Sequence, residues 1–120
     1  MKQTVILDFD GVIHSYSSGW QGAAVIPDPP TSGSREAIAI LRERYTVVVV
    51  SSRCHQPGGI EAIRNWLSKH SIEVDAVTND KPPHIVVVDD RAIRFTGCWQ
   101  SVIDGIPSAA IPWNKKGCNP

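Results

Sequence analysis

Three apolar runs in this 120-residue chain end in side chains that can do chemistry. Val5-Ile6-Leu7 leads into Asp8-Phe9-Asp10-Gly11, Thr46 to Val50 into Ser51-Ser52-Arg53, and His84 to Val88 into Asp89-Asp90-Arg91. In extended chain, residues two apart share a face, so Asp8 and Asp10 are expected to point the same way while Phe9 turns into the core. Two adjacent carboxylates repel. One must hold a proton or a cation must sit nearby, and a hard divalent ion such as Mg2+ is the ordinary partner of oxygen donors. Gly11 lets the backbone leave the strand through angles that other residues resist.

Side chains this far apart in sequence act together only if the fold brings them to one edge. Continuous β-branched runs read as strands buried on both faces, as in a parallel sheet covered by helices. Each run carries its polar cluster at its C-terminal end, the edge where open α/β sheets bind ligands. Between the runs, Thr31 to Arg44 predicts a helix with Ala37, Ile38, Ile40, Leu41 and Tyr45 as its apolar stripe. Ile60 to His70 predicts a second helix, burying Ile60, Ile63, Trp66 and Leu67. Ile72 to Val77 reads as a short strand, Ile93 to Thr96 as a small extended piece, Trp99 to Asp104 as one or two helical turns, and Ala109 to Trp113 as a fifth, edge strand. The fold expected is α/β, a three-layer sandwich with a mostly parallel, Rossmann-like sheet.

Residues 14–30 are rich in Gly, Ser and Pro and show no helical period, so they read as a loop or short hairpin beginning beside the acids. Loops of this length are often lids. Tyr16 and Trp20 would either cover a substrate or pack the loop onto the domain. The segment is too short for an independent cap, which leaves a single domain over 1–120 with 14–30 as a flap.

Lys plus Arg and Asp plus Glu number 12 each, a formal net charge of +0, so no global field draws nucleic acid or anionic membrane. Cys54, Cys98 and Cys118 are odd in number and lack metal spacing, which points to free thiols in a reducing cytoplasm. No signal peptide or membrane span is read from the N-terminus. His14, His55, His70 and His84 also lack ligand spacing and read as ordinary polar residues, with His14 the closest to the acids.

Asp8-Phe9-Asp10-Gly11, Ser51, Lys81 and Asp89-Asp90 stand in an order that resembles the four motifs of the haloacid dehalogenase superfamily of phosphatases and phosphotransferases. The match spans residues 5–91 and is similar to small capless members of phages and bacteria. Ser51-Ser52-Arg53 and Val88-Asp89-Asp90-Arg91 also resemble motifs in the phosphatase domain of phage polynucleotide kinase-phosphatases, which implies a nucleotide or polynucleotide 3'-phosphate substrate. The resemblance implies Asp8 as nucleophile forming an aspartyl phosphate and Asp10 as acid and base, with a raised pKa supplied by the acid cluster. It implies Ser51 and Lys81 on the phosphoryl oxygens, and Mg2+ held by Asp8, the Asp10 carbonyl, Asp89 and Asp90. Backbone N–H groups of Phe9 and Ser52, with Arg53 and Trp20, complete the expected substrate contacts.

Two readings of other classes stand beside this one. A receiver domain of two-component signalling also joins acids, Ser or Thr and Lys on a doubly wound sheet, but carries its single phosphorylated Asp after the third strand. A catalytically silent phosphate-binding module would leave a carboxylate cluster with no use to offset its repulsion. Lys81, before Pro82-Pro83, also reads as exposed loop, Arg53 as a surface ion pair, and Arg91 as a partner of Asp90. Oligomeric state is not legible.

Overall fold

The computed structural model describes residues 1–111 and 113. Its elements run β1 (Gln3–Leu7), α1 (Ser34–Arg44), β2 (Tyr45–Val50), a single 3-10 turn (Ser52–His55), α2 (Gly59–Lys69), β3 (Ala76–Thr78), β4 (Val86–Val88) and α3 (Trp99–Ala109). The four strands form one all-parallel sheet in the order β3-β2-β1-β4. The α/β class and Rossmann-like sheet expected from the valine-rich runs are found. A receiver-type sheet runs 2-1-3-4-5, with the third strand beside the first, whereas here β3 lies beyond β2.

Pairing fixes which side chains share a face. Val5 and Leu7 lie in register with Val47 and Val49, and together with Val77 they form one core with Ile38 of α1 and Ile63, Trp66 and Leu67 of α2. The last three are spaced i, i+3 and i+4, which puts them on one line of the helix. Ile6 and Val48 point to the opposite face and are also buried. Both sides of the central strands are therefore covered, as continuous β-branched runs require. Ala110, at the end of α3, lines a cavity with Ile6, Val50 and Val87 on that second face.

Several boundaries depart from the pattern. β3 begins at Ala76, because Ile72 packs into the core from the turn after α2 rather than from a strand. α1 starts at Ser34, three residues late, after Gly33 takes a left-handed conformation. Tyr45, placed on the α1 stripe by periodicity, opens β2 instead. Residues 93–96 form no strand. The fifth strand is also absent: Ala109 closes α3, Ala110 and Ile111 turn away, and residue 112 lies outside the described residues. The helical turns expected over Trp99 to Asp104 are found and run on to Ala109, with Pro107 inside the helix.

The flap is a closed loop rather than a free lid. His14 bridges Pro30, the Ser15 amide donates to the Pro29 carbonyl at 2.9 Å, and the Thr31 amide to that of Ile13 at 2.8 Å, so the two ends of the segment meet. Trp66 donates from Nε1 to the Asp28 carbonyl at 3.1 Å and presents its edge to the rings of Phe9 and His14. Trp66 is buried in the core, as its helical position implied.

Candidate active site

The sheet order reverses between β1 and β4, and ligands of open α/β sheets bind outside the carboxyl ends of strands at such a switch point. Asp8 follows β1, and its amide donates to the Val88 carbonyl at 2.9 Å, tying it to the end of β4. Asp89 and Asp90 follow β4. One carboxylate oxygen from each of Asp8, Asp89 and Asp90 falls within 4.8 Å of the others. Four separate stretches of sequence thus meet around one cavity of about 590 Å³, lined by Asp8, Ser51, Ser52, Lys81, Asp89 and Arg91 among others.

Electrostatics follows from that convergence. Burial, reinforced by the charges of Asp89 and Asp90, pushes the Asp8 carboxyl up to about 7, against a hydrogen bond from the Phe9 amide that favours its ionised form. Burial also raises Asp90, which shares a hydrogen bond with Asp8. A hydrogen bond between two carboxyls needs a proton, so without a cation this pair holds one. Asp90 Oδ1 is buried with no hydrogen-bond partner. A crowded set of hard oxygen donors with one lone oxygen fits a divalent cation such as Mg2+.

Gly11 makes the arrangement sterically possible. Its φ is +84°, and a Cβ there would overlap Asp90 Oδ2. Both the left-handed backbone and the close approach of Asp90 require glycine.

Asp10 departs from expectation. β1 ends at Leu7, and the Phe9 carbonyl accepts the amides of Val12, Ile13 and His14 in a tight turn, so the two-residue alternation of a strand no longer applies at position 10. The Asp10 side chain is not one of the clustered carboxylates. It pairs with Arg53, Nε to Oδ2 at 2.8 Å and Nη2 to Oδ1 at 3.1 Å, and accepts from His14 Nδ1 at 2.8 Å. Burial opposes its ionisation, but the His14 and Arg53 hydrogen bonds prevail and hold the carboxyl below its ordinary value. The expectation of a raised pKa is overturned, because its neighbours are the Arg53 guanidinium and the His14 Nδ1 donor rather than acids.

Arg53 is corrected as well. It is fully buried. Its Nη1 donates to the carbonyls of Gly22, Ala23 and Val25 at 2.8–3.1 Å, so the guanidinium is saturated by Asp10 and the flap rather than presented to a substrate. Gly59 permits this, since a Cβ there would overlap the Arg53 carbonyl. Trp20, half exposed, lies over the Arg53 guanidinium at 4.7 Å from the ring centroid, a cation–π contact that packs the flap.

The remaining expected residues divide. Ser51 is buried at the cavity wall, and its Oγ accepts the Arg53 amide at 3.2 Å. Ser52 and Lys81 are exposed on the same wall. The Phe9 ring is core, and its amide is taken by Asp8. Arg91 reaches the acids through its backbone amide, 3.0 Å from Asp89 Oδ1. Cys54 is buried and free, and Cys98 exposed and free; Cys118 lies outside the described residues.

Three residues escaped the sequence reading. His55 and Asn79 line the cavity, and only their places after β2 and β3 could have flagged them. His14 is completely buried: its Nε2 accepts the Asp28 amide at 3.1 Å, which leaves the proton on Nδ1 for Asp10. Asp28 in turn accepts from the Ser18 amide at 2.8 Å. Four residues separate His14 from Asp10, and that short distance was the available signal.

No protein-family model matches the chain, and no curated protein matches it. A solved structure of a D,D-heptose 1.7-bisphosphate phosphatase from B. bronchiseptica, complexed with magnesium and phosphate, is similar at 28% sequence identity with a TM-score of 0.48. The match covers 70% of this chain and 51% of that one, so the chain spans about half of that protein's length. No helix among the described residues is long and apolar enough to cross a membrane.

Proposed function

We propose that this chain is a Mg2+-dependent phosphomonoester hydrolase of the haloacid dehalogenase type, acting through an aspartyl phosphate at Asp8. The supporting observation is the convergence of the Asp8, Asp89 and Asp90 carboxylates at the sheet's switch point, beside a cavity that also carries Ser51 and Lys81. Mg2+ held by Asp8, Asp89 and Asp90, with the Asp10 carbonyl, would neutralise the acids and polarise the phosphoryl oxygens.

In this reading an Asp8 oxygen attacks phosphorus, the phosphorus–ester oxygen bond breaks, and the leaving alkoxide takes a proton. Ser51 donates a hydrogen bond to a phosphoryl oxygen, and Lys81 balances its charge. Water then cleaves the acyl phosphate and restores Asp8. Asp10, ionised by Arg53 and His14, is in the state that accepts a proton from that water. Acting as the acid in the first half requires it to be protonated first, against both partners.

The cavity opens to solvent with no separate lid over it among the described residues, and Lys81 and Arg91 give its rim two cations. A large or exposed phosphate suits such a mouth, which favours a nucleotide or a nucleic-acid 3' end over a small enclosed metabolite. The test is a phosphomonoester panel with and without Mg2+, comparing the natural chain with Asp8→Asn. Turnover that needs Mg2+ and falls at least about a thousandfold in the folded variant is expected. Turnover retained in Asp8→Asn removes the mechanism. Sugar phosphates cleaved as well as 3'-phosphorylated oligonucleotide removes the substrate assignment.

The paired Asp10 favours a second reading, a phosphate-binding module without turnover. Mg2+-dependent phosphate binding with no hydrolysis across the panel would select it.

A further inference from the structure

The C-terminal part of the chain leaves its apolar side chains in water. Of fourteen large apolar side chains exposed among the described residues, ten lie between Ile85 and Trp113. The excess is therefore local, unlike the single scattered residues normal on a protein surface. α3 is its centre. No α3 residue is buried, and eleven residues of helix containing Pro107 have little stability of their own in water.

At 3.6 residues per turn, Val102, Gly105 and Ala109 fall on one line of α3. These are its half-buried residues, and the Ile93 side chain lies in van der Waals reach of Gly105. Trp99, Ile103 and Ile106, spaced i, i+4 and i+7, form the adjacent line and face solvent. The Phe95 ring, 4.9 Å from that of Trp99, extends the stripe. The apolar arc of α3 is thus about twice as wide as the part that the described residues cover.

We propose that a second copy of the chain covers this stripe, α3 packing against α3 about a two-fold axis. Charge argues for self-association: from Phe95 to Ile111 the only formally charged side chain is Asp104. Asp104 already accepts from Gln100 Nε2 at 2.9 Å, on the side of the helix away from the stripe. Within the stripe itself a symmetric partner would bring no like charges together, and charges stand only at its edge, where Arg94 precedes Phe95 and Arg91 lies near Ile106. The formal net charge of +0 adds no long-range repulsion between copies.

Size also fits. Phe95, Trp99, Ile103 and Ile106 leave roughly 500 Å² in water, so their complete burial in two copies would remove about 1,000 Å², which just reaches the lower bound for a specific interface. Apolar residues at this spacing form the ridges by which helices interdigitate. The proposal does not depend on the phosphatase reading.

Sedimentation velocity of the full chain tests it. The mass should rise from 13.1 kDa at low micromolar concentration towards twice that value at high concentration. Ile103→Glu should weaken the dimer at least about tenfold. Ile40→Glu is the control, because Ile40 and Ile103 are both 61% exposed and Ile40 lies on α1, outside the stripe. A mass of 13.1 kDa throughout, or an Ile103→Glu chain that associates like the natural one, overturns the proposal. Should circular dichroism show that Ile103→Glu unfolds, hydrogen exchange of the natural chain decides. Protection of residues 99–109 that rises with concentration supports the dimer, and unchanged protection overturns it.

Discussion

Asp8 and Asp10 are two residues apart and lie in opposite electrostatic regions. Asp8 sits at a switch point among acids, pushed up to about 7 by burial and by Asp89 and Asp90. Asp10, past the turn, sits among Arg53 and His14 and is held low. The first region is poised to receive a cation. The second already contains one, the Arg53 guanidinium, and uses it to fasten the flap. A carboxylate's chemistry is thus set by what the tertiary fold brings beside it, and two chemically identical side chains can differ in kind over one turn of chain.

The sharpest test of this contrast is a pair of isosteric substitutions. Asp10→Asn leaves the buried Arg53 guanidinium without its counter-charge and should cost on the order of 3 kcal/mol in urea unfolding. Asp8→Asn removes one charge from a repelling cluster, so in the Mg2+-free chain at pH 8 it should leave stability unchanged or raise it by about 1 kcal/mol. Equal destabilisation by both would erase the distinction.

Titration separates the two regions next. The folded chain keeps the Asp8 proton up to about pH 7, while an unfolded chain releases it near the ordinary 3.8. Between those values the folded state binds more protons, so Mg2+-free stability should fall as pH rises, by roughly 2–3 kcal/mol from pH 5 to pH 8. Asp10 has the opposite sign: its lowered folded pKa adds stability above the ordinary carboxylate range, lost as pH falls through the folded value. Thermal melts with and without Mg2+ check this, since at pH 8 the proton has left and the ion should restore stability by neutralising the ionised acids. A flat Mg2+-free profile would contradict the crowding of Asp8.

Gly11 joins the two regions. Gly11→Ala should cost about 1–2 kcal/mol through its positive φ and its overlap with Asp90, and should weaken Mg2+ binding about tenfold by calorimetry. The smallest effect belongs to Trp20→Leu, which loses one half-exposed cation–π contact. It should cost about 0.5–1 kcal/mol and leave Mg2+ affinity unchanged. A marked loss of Mg2+ binding there would show that flap and acid cluster act as one unit.

The residue pattern was most informative where one segment settles the outcome. Three apolar runs ending in polar residues pointed to a parallel sheet with its polar clusters at one edge, because continuous β-branched runs suit strands covered on both faces. Trp66 was assigned to the core correctly because helical spacing suffices to place it. Arg53 read as a substrate contact because its partners, Asp10 and the carbonyls of Gly22, Ala23 and Val25, are 28 or more residues away. His14 read as ordinary for a similar reason, since its second partner is the Asp28 amide.

By itself, then, the amino-acid order determined the class of fold and the sheet edge at which its polar clusters lie, both consequences of side-chain size and alternation along single strands. The tertiary structure alone decided that Asp8 joins Asp89 and Asp90 while Asp10 turns to Arg53. It also decided that the helical turns read over Trp99–Asp104 extend to Ala109 and carry their apolar stripe outward. A carboxylate's proton affinity and a hydrophobic side chain's burial both depend on groups brought close by folding, and nearness in space is not written in any one stretch of chain.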